Sequence, residues 1–435
     1  MSAVTQEHHL LEAEFEHSAV PRSHRKSFIS VALVWLGFPM IITGAITGAA
    51  LVHGLGFQRG LLAMILGNLV MFAYVGLLSA RGAQTGLNFA LLASLTFGRK
   101  GYSLAAGLLS SILVGWYAVQ TGLTGVSMHE AFGSNVFVAT LIAGILYMGI
   151  TIIGIRALSV IGAISAPLFV ILGLYAVNIV LRGHAHSVWN YAGIPGQHIS
   201  FGLALTIVIA LFADAGTMTA DFTRWAQNRK HAVGATFAAF PLANLTAMII
   251  GGVLVAAMPQ NPGNVFSTIA QQGGIWIAIA VAFLFINLGS VCSHCLYNAS
   301  VGWSHIVGRN MNMRVMAVIL GAVGITGAVL GIWNYFIDWL NILGVLVPPI
   351  GSIIILDQYL FMNHKTADTT LESFRVRPFI AWAVGSLVAL IVNFQAPGLS
   401  TVLTGMVTSG VTYLLISQMA MRNVPIASTT RPEDL

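Results

Sequence analysis

The 435-residue sequence predicts an all-α integral membrane protein of twelve spanning helices, two inverted five-helix repeats followed by two appended spans. Three observations carry this: a composition far too apolar for water, a one-sided distribution of Lys and Arg, and interruptions at matching places in spans 1 and 6.

Composition comes first. The chain is 57% hydrophobic and 7% charged, with mean hydropathy +0.85, against about 25% charged residues in soluble domains. The formal charge of +6 does not point to nucleic acid, because the basic residues stand singly between apolar runs and form no stripe or patch. Residues 1–27 are polar, with Glu7, Glu12, Glu14 and Glu16 ahead of Arg22, Arg25 and Lys26. They hold no apolar run before a small-residue cleavage site and read as a cytosolic tail rather than a signal peptide. Cys292 and Cys295, in "CSHC", have no second ligand pair and read as packing residues one turn apart. No cofactor is expected.

A span needs about 20 apolar residues. Twelve stretches qualify: 28–52, 60–80, 102–129, 134–154, 157–181, 200–219, 232–258, 274–300, 312–333, 335–360, 377–395 and 398–421. The first repeat then covers 28–185, the second 186–360, and the last two spans 361–422, with a C-terminal tail over 423–435. A short element on the cytoplasmic side is expected just before span 3. With the N-terminus inside, 17 of the 19 Lys and Arg fall in cytoplasmic segments and only Arg59 and Arg182 outside. The bias of basic residues to the inner side thus predicts a protein of the plasma (inner) membrane with both termini cytoplasmic.

Span 1 contains "WLGFPMIITGAITG" and span 6 "LFADAGTMTA". Proline removes a helix donor and glycine weakens a helix by about 1 kcal/mol. Broken helices at corresponding positions of two halves point to a transporter with inverted repeats. Unwound backbone at membrane depth is tolerated where it lines a cavity, and there it binds a polar solute or a cation.

Four stretches, in order, extend this. "TGLNFALLASLTFGRKGYS" (85–103), "GWYAVQTG" (115–122), "DAGTMTADFTRWAQNRK" (214–230) and "VPPIGSIIILDQY" (347–359) resemble the motifs of the nucleobase:cation symporter-1 family, most of all its bacterial cytosine permeases. The resemblance runs from about residue 25 to 420. It implies the five-plus-five fold, with a planar heterocycle bound at mid-membrane between spans 1, 3, 6 and 8. It assigns Trp116 to stacking on the ring, Gln120 to its edge and Phe212 to its other face. Backbone around Ala213, Asp214 and Gly216 would read its amide-like groups. The family's sodium site would fall on the carbonyls of Gly37 and Met40 and on Asn287, Ser290 and Val291 of span 8.

Two residues depart from that pattern. Val291 lacks the side-chain oxygen that sodium-using members tend to have there, so the site is weakened or unused, sodium wanting several oxygens as other hard cations do. Asp214 stands where relatives tend to have a small neutral residue. A carboxylate at the helix centre costs about 2.5–3.5 kcal/mol on insertion scales, so it needs a partner or a proton. One reading makes Asp214 a substrate or proton site, with His294 as a candidate partner. The other puts it at a water-filled end, paired with Arg224. Asp221 and Arg224 are expected to sit at the cytoplasmic rim and to pair when the transporter faces outward, and Asp338 and Asp357 to be structural.

The reading is therefore a secondary transporter importing cytosine or a related nucleobase by cation symport. The coupling ion is proton or sodium, with proton favoured. Purines, hydantoins and other small cyclic amides are the alternative substrates. A channel or a membrane-embedded enzyme is the alternative class, but no pore-lining ring, H-E-x-x-H or G-x-S-x-G is seen. Partners are the small-molecule substrate and lipid, with no nucleic acid and no obligate protein partner.

Overall fold

A computed structural model describes residues 13–183, 188–261, 263–361 and 372–422. The tail over 423–435, residues 1–12, Lys365 and the side chain of Asp338 lie outside the described residues.

The chain is helical throughout. In order come α1 (Phe28–Gly37), α2 (Ile42–Leu55), α3 (Phe57–Thr85), α4 (Phe89–Phe97), α5 (Tyr102–Phe132), α6 (Val136–Ile153) and α7 (Ile155–Gly183). The second half has α8 (Phe201–Ala210), α9 (Ala213–Thr217), α10 (Ala220–Thr223), α11 (Arg229–Phe237), α12 (Leu245–Ala257), α13 (Val265–Ala270) and α14 (Ile275–Val307). It continues with α15 (Met313–Val329) and α16 (Phe336–Leu356), and α17 (Val376–Gln395) and α18 (Thr401–Arg422) close the chain. Among the described residues nine helices are long and apolar enough to cross a membrane, or ten with the bent α1–α2 pair as one span. The shorter apolar α8 and α15 stand at expected spans 6 and 9. The element expected before span 3 is α4, which starts on an Asn88 cap accepting from the Leu91 N–H.

Both breaks are present. α1 and α2 meet at 55° across Phe38–Ile41. In span 6 the helix stops at Ala210, and Phe212 leaves helical geometry at φ −132°. A single turn, α9, follows before a second break at Met218–Thr219. Span 7 runs Arg229–Ala257 without interruption, but Pro241 turns its middle, Ala238–Asn244, into a π-helix, as a missing donor does.

Glycine sets how closely these helices approach. A Cβ on Gly37 would strike the backbone of Gly162 on α7, and one on Gly48 the backbone of Met248 on α12. α1 therefore seats on α7 and α2 on α12 almost backbone to backbone, the close approach that small residues allow where lipid offers no hydrophobic drive.

Ahead of α1, residues 13–26 cross one end of the bundle as a strap. Val20 donates its N–H to Gly86 O and Lys26 to Trp225 O, at 2.9 and 2.7 Å. The Arg25 guanidinium donates to Val20 O, Ala83 O and Ala226 O at 3.0, 2.7 and 2.8 Å.

Candidate functional site

The two breaks face one cavity, which α5 and α14 complete. It is lined by Phe38 and Ile41 from the first break, by Leu113, Trp116 and Gln120 from α5, and by Leu211, Phe212, Asp214 and Ala215 around the second. α14 adds Val291 and Cys295. In this conformation the walls leave about 10 Å³, the size of a single-water site. A planar ring must part them to enter.

The apolar surfaces come from Trp116, Phe38 and Phe212, the last two edge to face at 5.5 Å between centroids. The polar groups are few and held. Gln120 donates through Nε2 to Thr43 Oγ1 at 3.0 Å, which leaves its Oε1 without a partner among the described residues. Asp214 accepts the Ala215 N–H on Oδ1 at 2.8 Å, and the Trp116 indole approaches the carboxylate. Its Oδ2 is buried with no hydrogen bond in normal geometry. The turn carrying Asp214 is fixed from behind: the Thr217 hydroxyl donates to Ala213 O at 2.6 Å and meets the Tyr74 hydroxyl at 2.6 Å.

The structure thus brings together Trp116, Gln120, Phe212 and Asp214, and leaves out Ala213 and Gly216. At about 100° per residue, Ala215 and not Ala213 turns into the cavity. Gly216 faces α3, where a Cβ would meet Val75 and Met71. The backbone here is not the unwound strand expected, since Gly216 N–H bonds Phe212 O at 2.8 Å within α9.

Two expectations about partners change. Arg224 does not pair with Asp214; its guanidinium donates to the carbonyls of Glu14 and Phe15, each at 2.8 Å, and to Asp221 O at 3.3 Å. The Asp221 carboxylate, near the Arg224 charge, accepts the Phe89 N–H at the start of α4, at 2.8 Å. His294 does not hydrogen-bond Asp214 either; its Nδ1 meets Ser290 O at 2.6 Å and its ring stacks on Phe38 at 5.0 Å and 10°. On α14 it is Cys295 that lines the cavity, while Cys292 packs against the Thr121 hydroxyl at 3.6 Å. Asp357 is structural as expected, in a bidentate pair with Arg375 at 2.8 and 3.0 Å and accepting from the Tyr413 hydroxyl.

Each carbonyl expected to face a sodium ion accepts one side-chain hydrogen bond from α14. Ser290 donates its hydroxyl to Gly37 O at 2.8 Å. The Asn287 amide donates to Met40 O at 2.8 Å and to Ser165 Oγ at 3.1 Å, and accepts the Ile42 N–H at 2.9 Å. Asn287 so clamps both sides of the α1–α2 break.

Two contributors escaped the sequence reading. Phe38, between Gly37 and Pro39, is legible afterwards as the aromatic inside the break. Glu14 left no signal: it is one of four acids in a polar tail, yet only 4% exposed. Its carboxylate accepts the Tyr297 O–H at 2.7 Å and the Ile155 N–H at 3.1 Å. Burial raises this carboxyl above its ordinary value; the Tyr297 and Ile155 bonds and the charges of Arg224 and Arg314 oppose that.

The comparisons with known proteins agree with this fold. The sequence profile described as "Permease for cytosine/purines, uracil, thiamine, allantoin" matches residues 19–415. A cytosine permease of Escherichia coli (strain K12) is 32% identical over 419 residues, covering 95% of this chain and 97% of its own. A hydantoin permease of Microbacterium maritypicum is 21% identical, covering 93% and 89%. Among solved structures, the nucleobase-cation-symport-1 transporter Mhp1, closed with bromovinylhydantoin bound, superposes with TM-score 0.79 at 19% identity, over 97% of this chain and 98% of that one. A Na+-coupled sialic acid symporter follows at TM-score 0.68 and 13% identity, covering 95% and 93%.

Proposed function

We propose that this chain, which belongs to the nucleobase:cation symporter-1 family of permeases for cytosine/purines, uracil, thiamine and allantoin, is a secondary transporter importing cytosine or a related nucleobase with a proton. The observation that carries the reading is that Asp214 and Gln120 line one aromatic-walled cavity and each has a buried oxygen, Oδ2 and Oε1, with no protein hydrogen bond in normal geometry.

A base needs flat apolar surfaces and a complementary rim. Stacking contributes about 1–3 kcal/mol and tolerates different bases, while discrimination comes from rim groups that a wrong ligand leaves unpaired. An isolated carboxylate away from water is costly, and Asp214 has no cation partner among the described residues. It therefore holds a proton when the site closes. Protonated, Oδ2–H donates and Gln120 Oε1 accepts, which matches a ring edge with a ring nitrogen acceptor beside an N–H donor. The same group that reads the base then carries the ion. The two five-helix repeats rock about this site, with the strap on the cytoplasmic side. Arginines 309 and 314, at that end of the bundle, support the orientation.

The test is uptake of radiolabelled cytosine into proteoliposomes with unlabelled cytosine, uracil, adenine or hydantoin as competitors. Competition strongest from cytosine is expected. Uptake absent for cytosine but present for hydantoin would reject the substrate and move the assignment toward the hydantoin permease relative.

A further inference from the structure

We propose that the N-terminal strap, residues 13–26, is a gate latch: the Glu14 carboxylate locks this end of the bundle shut, and the site opens toward this end only when Glu14 leaves its pocket. The inference rests on contacts remote from the cavity and goes beyond the transport reading.

Glu14 ties the start of α7 to α14 at this end of the bundle. Oε1 takes the first N–H of α7 and Oε2 takes the hydroxyl of Tyr297 on α14. The adjacent backbone holds the exit of α10, since Arg224 donates to the Glu14 and Phe15 carbonyls. One residue on, Asn88 at the head of α4 donates to Glu16 O at 2.7 Å, and the Glu16 carboxylate accepts the first N–H of α15 at 3.1 Å. Five parts of the bundle are pinned by three consecutive residues. The socket is shaped for this. Gly154 sits between α6 and α7 at φ +93°, and a Cβ there would strike Glu14 Oε1; Gly86, at φ +76°, leaves equivalent room for Arg25.

The latch connects to the cavity through stacked rings. Tyr297 stacks on Phe222 at 6.0 Å and 19°. Phe222 stands edge-on to His294 at 5.5 Å and to Phe38 at 5.9 Å. Phe38 lines the cavity. These rings plug the space between cavity and strap, and Tyr297, the outermost, is the one that Glu14 holds. Hydrogen bonds to a charged group are among the stronger single contacts a chain can make and still release, which suits a catch that must open each cycle. Packed interfaces of this kind have two arrangements rather than a continuum.

Cys295 reports the gate, because it lines the cavity and is buried in the closed form. In full-length protein carrying Cys292→Ser, reconstituted in one orientation, a small charged methanethiosulfonate is applied from either face and modification of Cys295 is timed. Glu14→Ala is expected to speed modification from the strap face about tenfold or more, the value of one charged hydrogen bond, and to leave the opposite face unchanged or slower. Tyr297→Phe, which keeps the ring stack and removes only the donor, gives the same direction and stands in if Glu14→Ala does not fold. Unchanged rates from the strap face in both variants would overturn the latch, as would equal acceleration from both faces, which marks general loosening. The readout uses no substrate, so failure of the nucleobase assignment leaves it intact.

Discussion

Asp214→Asn separates carrying a proton from binding a base. The Ala215 N–H holds one carboxyl oxygen at 2.8 Å, so the amide oxygen keeps that place and the new NH2 takes the place of Oδ2. That NH2 donates as a protonated carboxyl does, so affinity for the base stays within about 1 kcal/mol, the worth of an ordinary hydrogen bond. It cannot titrate. With Asp214 the one carboxyl that lines the cavity among the described residues, one proton moves per cycle. A gradient of one pH unit then holds about a tenfold concentration ratio in the wild type and a ratio near one in the variant. Proteoliposomes are loaded with unlabelled cytosine for exchange, or left empty with an imposed pH gradient for accumulation. Exchange kept and accumulation lost is the expected pair. Accumulation by the variant at the wild-type ratio would refute the assignment of the proton to Asp214.

Other substitutions test the remaining parts. Trp116→Ala removes a stacking surface worth about 1–3 kcal/mol, so the cytosine Kd should rise roughly 5- to 150-fold, with Trp116→Phe between; calorimetric titration reads it. Asn287→Ala leaves the buried Ile42 N–H and Met40 carbonyl without partners, and each orphaned group costs about 1–3 kcal/mol, seen as a lower Tm in detergent. Val291→Thr adds a side-chain oxygen beside Ser290 on α14, but with the coupling proton on Asp214 uptake should still need the pH gradient and remain indifferent to sodium. Arg375→Ala strands the buried Asp357 carboxylate, and breaking such a pair costs about 3–5 kcal/mol, read as lost thermal stability and expression.

The breaks were legible because Gly37, Pro39, Asp214 and Gly216 interrupt apolar runs that nothing else interrupts. Trp116 and Gln120 came from the resemblance, and their four-residue spacing on one helix puts both on one face. Facing within span 6 was not legible. A one-turn helix between two breaks has its rotation set by Tyr74 and Thr217 at its back, and sequence periodicity over five residues cannot fix which of residues 213–216 turns inward. The partners of Arg224 were lost for another reason. They are backbone carbonyls of a polar segment some 210 positions away, and carbonyls carry no residue signature. Asn287 was singled out at the helix break, and its amide is found there, bonded to Met40 O and the Ile42 N–H.

The most direct measurement is uphill uptake of radiolabelled cytosine by wild-type protein in proteoliposomes, with a proton gradient and a sodium gradient imposed one at a time. Accumulation driven by protons, and none by sodium alone, is the result expected if the buried Asp214 carries the coupling ion and Val291 leaves the sodium site one oxygen short. Accumulation driven by sodium alone would contradict the account, because coupling would then not depend on a proton at Asp214.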